Sequence, residues 1–465
     1  MLEVSLIGLV LLLASIFIGG KVAADPLWGP RLTFEGPALA WMLIGYGFFA
    51  AVLPVWLLLA PRDYLSTFLK IGTVVLLAVA VLIAMPQLQM PAVTRFIDAT
   101  GPVFAGSLFP FLFITIACGA VSGWHALVSS GTTPKLLANE SDARMIGYGA
   151  MLMECFVAVT ALIAACALNP GVYFAMNAPA VLIGTDVYQA AATITEWGFV
   201  LTPEILTQTA KDIGETTILS RTGGAPTLAT GMAQILHQVV AGEGMLALWY
   251  HYAILFEALF ILTTVDAGTR VGRFLIQDPA GMAWAPLGRT DWWLGNVLAT
   301  GLCVSAWGYF LYQGVVDPLG GINTLWPLFG IAHQMLAAIA LSFACVCLVK
   351  IKRERYLWIP LLPTVWLIIC TMTAGWQKLF HEDVRIGFLS HARLFFDALA
   401  AERVLAPARS LADMERVVRY DYVNAGLTVV LMSLVVAMVF FGMRAAIKGW
   451  HARSATTMET VRVAI

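Results

Sequence analysis

The sequence predicts an all-α fold, a polytopic helical bundle embedded in a membrane. Hydrophobic residues make up 60% of its 465 residues and charged residues only 12%, whereas soluble domains carry about 25% charged residues. The apolar residues fall into blocks of roughly 20, the length of helix that crosses a hydrocarbon core of about 30 Å. We expect about ten transmembrane helices, together with broken and half helices where glycine and proline interrupt the apolar blocks.

Composition also excludes several classes of function. The formal net charge is −1, which argues against nucleic acid as a partner, because nucleic-acid binding needs a concentrated basic face. The seven cysteines all lie within apolar segments and show neither a disulfide framework nor zinc-ligand spacing. The sequence contains no HExxH, GxSxG or phosphate-loop motif, so we expect no metal, no cofactor and no enzymatic activity.

The first two apolar blocks are predicted to be helices. Residues 2–20 lack the basic start and the small-residue cleavage site of a signal peptide, so we expect a retained helix. Residues 38–60 contain Pro54, which removes a backbone donor, crowds the preceding turn and should disturb this helix.

A sharp cytoplasmic turn is predicted at residues 61–64, followed by a third helix at residues 66–84. Asp63 lies in that turn. Lys70 lies one turn inside the helix, where its long side chain can reach the membrane interface. Both residues are candidates for a gating or structural role.

The fourth segment begins as an apolar run at residues 108–118 and then changes to glycine, serine and threonine. A helix with this composition at membrane depth exposes backbone polar groups, which hydrocarbon tolerates only inside protein or along a watery cavity. We therefore predict a broken helix that lines a solute path. Gly119, Ser122 and Gly123 are its candidate substrate-binding residues.

After a fifth span at residues 144–168, a long extracytoplasmic connection is predicted at residues 169–244. It contains an apolar stretch near residues 226–240 that is too short to span, which is typical of a half helix.

The residues just before this half helix predict a helix start. Gly223, Gly224 and Thr227 flank a proline that suits the first helical turn. The free N–H groups of a helix start attract a carboxylate, so these three residues are candidates for substrate binding.

The remaining chain is expected to complete a single transmembrane transporter domain over residues 1–465. A glycine-rich segment at 320–323 caps one span and makes Asn323 a further substrate-binding candidate. Residues 376–420 are predicted to be an amphipathic connection and residues 444–465 a tail. The distribution of lysine and arginine places both termini in the cytoplasm. The last five spans are predicted at residues 245–265, 292–312, 325–349, 356–375 and 422–443.

Three titratable residues inside predicted spans are candidates for proton or cation coupling. Glu154 and Glu257 lie within apolar spans, where a carboxylate costs several kcal/mol unless it is paired, hydrated or protonated. The alternative is a structural hydrogen bond to a neighbouring helix while the carboxyl group is neutral. His333 is the third candidate, because imidazole titrates near neutral pH.

Asp266 and Arg270 lie near the cytoplasmic end of the span at residues 245–265. Their i, i+4 spacing favours a salt bridge on one helix face, with gating as the alternative role. His251, Glu257 and Asp266 do not share a helix face, which argues against a metal site there.

Six long stretches of the chain carry a resemblance to a known family. On them the chain strongly resembles the carbon starvation protein A family of bacterial inner-membrane transporters. The resemblance implies uptake of peptides, or of pyruvate, by symport with H⁺ under nutrient limitation, with Na⁺ as the alternative coupling ion. The matching stretches are residues 52–72, 108–135, 169–177, 223–233, 254–270 and 314–332.

Two features depart from the family pattern. Family members are longer, and the stretch resembling residues 3–20 lies well inside them, which predicts that this chain lacks their N-terminal helices. A shortened, non-transporting membrane sensor or assembly subunit is therefore the alternative function, and a channel is a third. At His333 the family pattern has asparagine.

Overall fold

The computed structural model describes residues 2–242, 244–317 and 321–463, and these residues are predominantly α-helical, with no β-strand among them. The chain divides into two compact units. The first comprises Met1–Thr94 and Gly131–Val316, and the second comprises Arg95–Ser130 and Asp317–Ile465.

Twenty α-helices are found in the described residues. The first ten are α1 (Leu2–Ala24), α2 (Trp28–Leu32), α3 (Gly36–Val52), α4 (Leu59–Ala84), α5 (Leu108–Thr115), α6 (Ala117–Ala120), α7 (Gly123–Gly131), α8 (Thr133–Leu136), α9 (Asp142–Ala167) and α10 (Pro170–Asn177). The others are α11 (Ala180–Ile183), α12 (Val187–Glu196), α13 (Pro203–Asp212), α14 (Gly224–Val239), α15 (Met245–Ala283), α16 (Trp293–Val316), α17 (Gly321–Lys350), α18 (Trp358–Phe380), α19 (Phe388–Ala400) and α20 (Leu411–Val463).

Eight of the described helices are long and apolar enough to cross a membrane. The predicted fold class, an all-α polytopic membrane protein with broken and half helices, is confirmed. The number of long helices is smaller than the expected ten, because one predicted span is short and another is broken. The eight helices are α1, α4, α9, α15, α16, α17, α18 and α20.

The region around Pro54 differs from the prediction. Helix α3 ends at Val52, and Leu53 is already extended, because the residue before a proline is disfavoured in helical conformation. Helix α4 begins at Leu59 and includes residues 61–64, so the predicted turn there is wrong. Proline is tolerated in the first turn of a helix, where its missing N–H would lack a partner anyway.

The fourth segment is broken, as predicted. Residues 108–136 form four short helices, α5 to α8, instead of one span. The predicted half helix near residues 226–240 is α14, which has 16 residues. Gly231 of α14 lies against the backbone of Ala164 in α9 so closely that a methyl group there would overlap the Ala164 carbonyl. This contact packs α14 against a long helix of the first unit.

Helices α15 and α20 are longer than predicted. Helix α15 has 39 residues and continues past residue 265, with Pro279 as the one proline inside it. Helix α20 begins at Leu411 and continues through residues 444–463, which were predicted to be a tail. Residues 376–420 contain the predicted amphipathic helix, α19.

The second unit has an apolar core formed by α5, α17, α18 and α20. A further apolar contact joins α19 to the start of α20, where Phe395 and Met414 are buried together. The buried residues of this core are Phe111, Ile114, Ile331, Met335, Ala374, Ile386 and Val435.

Candidate functional site

The first unit contains a buried ionic network that joins α3, α4 and α15. Arg62 Nη1 lies 2.5 Å from Asp266 Oδ2, and the Asp266 side chain is 0% exposed. The hydroxyl group of Tyr46 donates a hydrogen bond to the same carboxylate oxygen at 3.0 Å, and Arg62 also contacts the Tyr46 hydroxyl group. Asp266 is thus held by two partners from other helices.

Asp63 and Lys70 belong to the same network. Asp63 Oδ1 lies 2.6 Å from Arg62 Nη2 and accepts a hydrogen bond from Thr263 Oγ1 at 3.3 Å. Lys70 Nζ donates to that threonine oxygen at 2.6 Å. Three predicted gating or structural candidates, Asp63, Lys70 and Asp266, are therefore brought together in one unit.

Arg270 has a different partner from the one predicted. Asp266 pairs with Arg62, so the predicted ion pair between Asp266 and Arg270 is wrong. Arg270 Nη2 instead donates to the backbone carbonyls of Ala50 and Leu53 at 2.8 and 3.0 Å. The last carbonyls of a helix have no partner within it, and α3 ends here, so the buried guanidinium group satisfies them.

Arg273, a second buried arginine one turn further along α15, also donates to a carbonyl at the end of α3. Arg273 Nη1 donates to the Ala51 carbonyl at 2.7 Å, and only 5% of Arg273 is exposed. Cations are favoured at the negative end of a helix dipole. Arg270 and Arg273 together therefore cap the C-terminal end of α3.

The start of α14 has the geometry of an open helix N-terminus. Gly223 has a φ of 138°, and no side chain caps the helix. Its N–H donates to the Asn177 side-chain oxygen at 3.4 Å, while Asn177 Nδ2 donates to Thr227 Oγ1 at 2.9 Å. The space beside Gly224 is open, because no neighbouring heavy atom lies within 4 Å of the position that a Cβ atom would occupy.

Within this helix start the predicted binding residues have different surroundings. Thr227 is buried and its hydroxyl group donates to the Gly223 carbonyl at 3.2 Å, so its hydrogen bonds stabilise the turn. Gly224 is the residue that leaves backbone accessible.

His333 holds the unwound backbone between α6 and α7 in the second unit. Its Nε2 accepts a hydrogen bond from the Trp124 N–H at 3.2 Å and lies 3.4 Å from Ser122 Oγ. The side chain is 7% exposed. Because Nε2 accepts from a backbone N–H, His333 is neutral in this arrangement, with its proton on Nδ1.

The two glycines of this break differ in their surroundings. A Cβ atom at Gly123 would overlap the His333 carbonyl, so this glycine allows close packing between α7 and α17. Gly119 has no atom within 4 Å of the corresponding position. The predicted candidate Asn323 has its backbone in α17, but its side chain lies outside the described residues, as does Gly320.

Glu154 and Glu257 are both half-buried, on α9 and α15 of the first unit. Glu257 lies between Phe256 and Phe260 on its helix, and it forms no hydrogen bond or ion pair with a described residue. Among the residues that the structure describes, no hydrogen bond joins Glu257 to Glu154 or to the network around Asp266.

Sequence reasoning missed three members of the buried network and its helix cap: Tyr46, Arg62 and Arg273. Arg62 falls in the predicted cytoplasmic turn at residues 61–64, and the predicted span ends at residue 265, before Arg273. A usable signal was present, because no proline follows residue 265 until Pro279. A continuous helix places Arg270 and Arg273 on one face at i, i+3 spacing.

Comparison with known proteins identifies the family. The family described as Carbon starvation protein CstA matches residues 1–374. The chain belongs to this family. The resemblance carried by the sequence motifs is therefore confirmed, and no solved structure matches the chain.

Similarity extends over nearly all of the chain. It is 58% identical over 451 residues to "Peptide transporter CstA" of Escherichia coli (strain K12), covering 96% of this chain and 64% of that relative. It is 51% identical over 486 residues to "Pyruvate/proton symporter BtsT" of the same organism, covering 100% of this chain and 68% of that relative. "Peptide transporter CstA" of Mycobacterium tuberculosis (strain H37Rv) is 49% identical, with 98% and 61% covered. The chain spans about two thirds of the length of these relatives.

Proposed function

We propose that the protein is a secondary transporter that imports peptides or pyruvate together with protons during carbon starvation. One relative is named a peptide transporter and another a pyruvate/proton symporter. Both substrate classes carry a carboxylate, and symport with H⁺ is favoured over symport with Na⁺ by the second name. Transport, rather than enzymatic activity, is the function that these relatives support.

The observation that carries this proposal is the interruption of the helical stretch at residues 108–136. An apolar segment that unwinds at membrane depth leaves backbone groups without helical partners, which is stable only beside protein or water. In this stretch the His333 side chain accepts a hydrogen bond from the Trp124 N–H, while the space beside Gly119 is open. Broken helices of this kind are typical of secondary transporters, and we assign Gly119 and Ser122 to the solute path.

The start of α14, in the first unit, is a separate candidate for substrate binding. Its first N–H groups have no side-chain cap, and Gly224 leaves the backbone accessible. Unpaired N–H groups and the positive end of the helix dipole favour an anion. We propose that this helix start binds a substrate carboxylate, with Gly223 and Thr227 maintaining its geometry and Asn323 as a further candidate.

Glu257 is the leading proton-coupling residue in this proposal. It is half-buried among apolar side chains and has no hydrogen-bonding partner among the described residues. A carboxylate in such surroundings is stabilised by taking up a proton. Glu154 and His333 remain the other candidates, although the hydrogen bond from Trp124 to His333 also gives that histidine a structural role.

The proposed localisation is the bacterial inner membrane, with residues 1–465 forming one transporter domain and both termini in the cytoplasm. The positive-inside bias supports this orientation, since lysine and arginine are concentrated in loops such as residues 350–355.

The proposal is tested with the purified full chain in proteoliposomes carrying an imposed pH gradient. Uptake of pyruvate and of a dipeptide is measured in parallel, with an equal Na⁺ gradient as the comparison. We expect acid outside to drive accumulation of one substrate class. Accumulation of neither substrate with either gradient would contradict the proposal.

Glu257→Gln is the matching variant. It is expected to retain exchange of labelled for unlabelled substrate while losing accumulation driven by the pH gradient, because only the second process needs a bound proton. The control is Glu204→Gln, since Glu204 lies exposed on α13. Unchanged accumulation in Glu257→Gln would exclude this residue from coupling.

A further inference from the structure

A second group of buried charges lies in the second unit, on α18, α19 and α20. His391 Nδ1 of α19 is 2.6 Å from Asp421 Oδ2 of α20, and the side chains are 19% and 6% exposed. At this distance the two groups share a strong hydrogen bond. Neither residue is part of the proposed solute path or of the network around Asp266.

Lys378 brings a buried positive charge close to this pair. Its ammonium group lies 5.5 Å from the ring centroids of Phe104 and Phe111 and 5.7 Å from that of Phe388. Only 4% of Lys378 is exposed, and it forms no hydrogen bond or ion pair with a described residue. The ring faces stabilise the cation in part, and it interacts electrostatically with Asp421 and, more strongly, with Asp383.

The face of α20 that carries Asp421 continues as buried polar residues. Asn424 and Thr428 follow at i+3 and i+7, which places all three on one side of the helix, and both are 0% exposed. Thr428 donates to the Asn424 carbonyl, but neither side-chain atom of Asn424 has a hydrogen-bond partner. A buried amide without partners is costly, so this polar face is unusual for a packed helix that has no ligand.

The charge of the group depends on one proton. The groups that act electrostatically on Asp421 are His391, Asp317 and Lys378. A proton on the imidazole adds a positive charge beside the Asp421 carboxylate, which Lys378 also stabilises from farther away. A buried group of charges is most stable when it is neutral overall.

Asp383 does not alter this balance. It forms an ion pair with Arg385 at 2.8 Å, and the hydrogen bond from Arg385 lowers the pKa of Asp383. The carboxylate and guanidinium groups both stay charged, and together they contribute no net charge.

We propose that the His391–Asp421 pair is a proton-binding site and that one proton bound there is carried in the transport cycle. This inference rests on the proposed function for the coupling and adds a site to it. Since Nδ1 bonds to Asp421, Nε2 is the nitrogen that gains the proton. An N–H group beside the carboxylate occupies the place that a metal cation would need, which favours H⁺ over Na⁺.

The site is tested first without transport. The full chain, labelled with ¹⁵N-histidine and placed in lipid nanodiscs, is studied by NMR over a range of pH. His391→Gln identifies the His391 signals by their loss. We expect those signals to change from the neutral to the doubly protonated form on acidification, over a pH range that differs in Asp421→Asn. A His391 signal that keeps one protonation state throughout, or that behaves identically in Asp421→Asn, would overturn the proposal.

Transport then tests the coupling. For an imposed gradient of one pH unit, a symporter of one proton per substrate anion accumulates its substrate about tenfold. We expect His391→Gln and Asp421→Asn to exchange substrate but to reduce this accumulation to about onefold. Wild-type accumulation in either variant would remove the pair from the cycle.

The controls separate the two proposals. His251→Gln and Asp212→Asn change exposed side chains of the first unit and should accumulate substrate like the wild type. If the wild type transports no substrate, the proposed function fails, while the NMR titration still decides whether His391 and Asp421 bind a proton together. If one of the two variants does not fold, the wild-type titration and the other variant provide the test.

Discussion

Asp266 illustrates how a buried charge is held by residues that are far apart in the sequence. One of its oxygens is shared by Arg62 and Tyr46, and the other has no hydrogen-bond partner in the described part of the chain. Removing one member of such a pair leaves an uncompensated charge, whereas replacing both with apolar residues of similar volume is often neutral.

The first prediction concerns this pair. Arg62→Met should lower the free energy of unfolding by about 3–5 kcal/mol, because it leaves the buried Asp266 carboxylate uncompensated. Asp266→Leu should lower it less, since Asp63 still pairs with Arg62, and the double variant should recover most of the loss of Arg62→Met. Unfolding in mixed micelles measures the effect. Arg289→Gln is the control, because the ion pair of Arg289 with Asp291 is exposed and such pairs contribute about 0–1 kcal/mol. Additive losses in the double variant would contradict the paired arrangement.

His333 gives the second prediction at this scale. Its Nε2 accepts the Trp124 N–H, a role that an asparagine side-chain oxygen can also take. We expect His333→Leu to lose about 1–3 kcal/mol by leaving that buried N–H unpaired, and His333→Asn to lose less. Thermal unfolding of both variants measures the difference, and equal losses would show that the hydrogen bond does not stabilise the break.

At the scale of helices, the contact between α7 and α17 depends on one glycine. A methyl group at Gly123 would overlap the His333 carbonyl, whereas Gly119 in α6 has open space beside it. The two glycines lie in the same interrupted stretch, which makes them a matched pair.

The third prediction uses this pair. Gly123→Ala should force the two helices apart and destabilise the protein by about 1–3 kcal/mol. Gly119→Ala should leave stability unchanged or raise it slightly, because alanine favours helix over glycine by about 1 kcal/mol. Melting temperatures of both variants provide the measurement. A stable Gly123→Ala protein would mean that α7 can shift without cost.

The helices that could be predicted were those that depend on local pattern. The apolar blocks of α9 and α16 and the glycine and proline break after residue 118 were found because composition alone sets them. Helix starts and ends were less accurate, since Pro61 is compatible with either a turn or a first helical turn. The partner of Asp266 could not be predicted, because the i, i+4 spacing to Arg270 was visible in the sequence while the contact with Arg62 of α4 is formed only by tertiary packing.

At the scale of the whole molecule, the cysteines allow the orientation in the membrane to be measured. No disulfide joins the described cysteines, so they can be replaced without breaking one. Their replacement allows single cysteines to be introduced as reporters.

The fourth prediction concerns the two sides of the membrane. In the cysteine-free background, Asp186→Cys should react with a membrane-impermeant maleimide added to intact cells, because the connection at residues 169–244 is predicted to be extracytoplasmic. Lys352→Cys should react only after permeabilisation, because it lies in a loop rich in lysine and arginine. If Lys352→Cys reacted in intact cells and Asp186→Cys only after permeabilisation, the proposed topology would be wrong.

The cap on α3 constrains how the first unit can move. Arg270 and Arg273 bind the carbonyls of Ala50, Ala51 and Leu53 at the end of that helix, and both arginines are buried. If α15 slid by one turn, the carbonyl oxygens of α3 would lose the arginine donors, and inside a membrane water does not replace such donors. Any alternating-access motion must therefore carry α3 and α15 as one rigid body, and the hinges of the cycle must lie elsewhere in the chain.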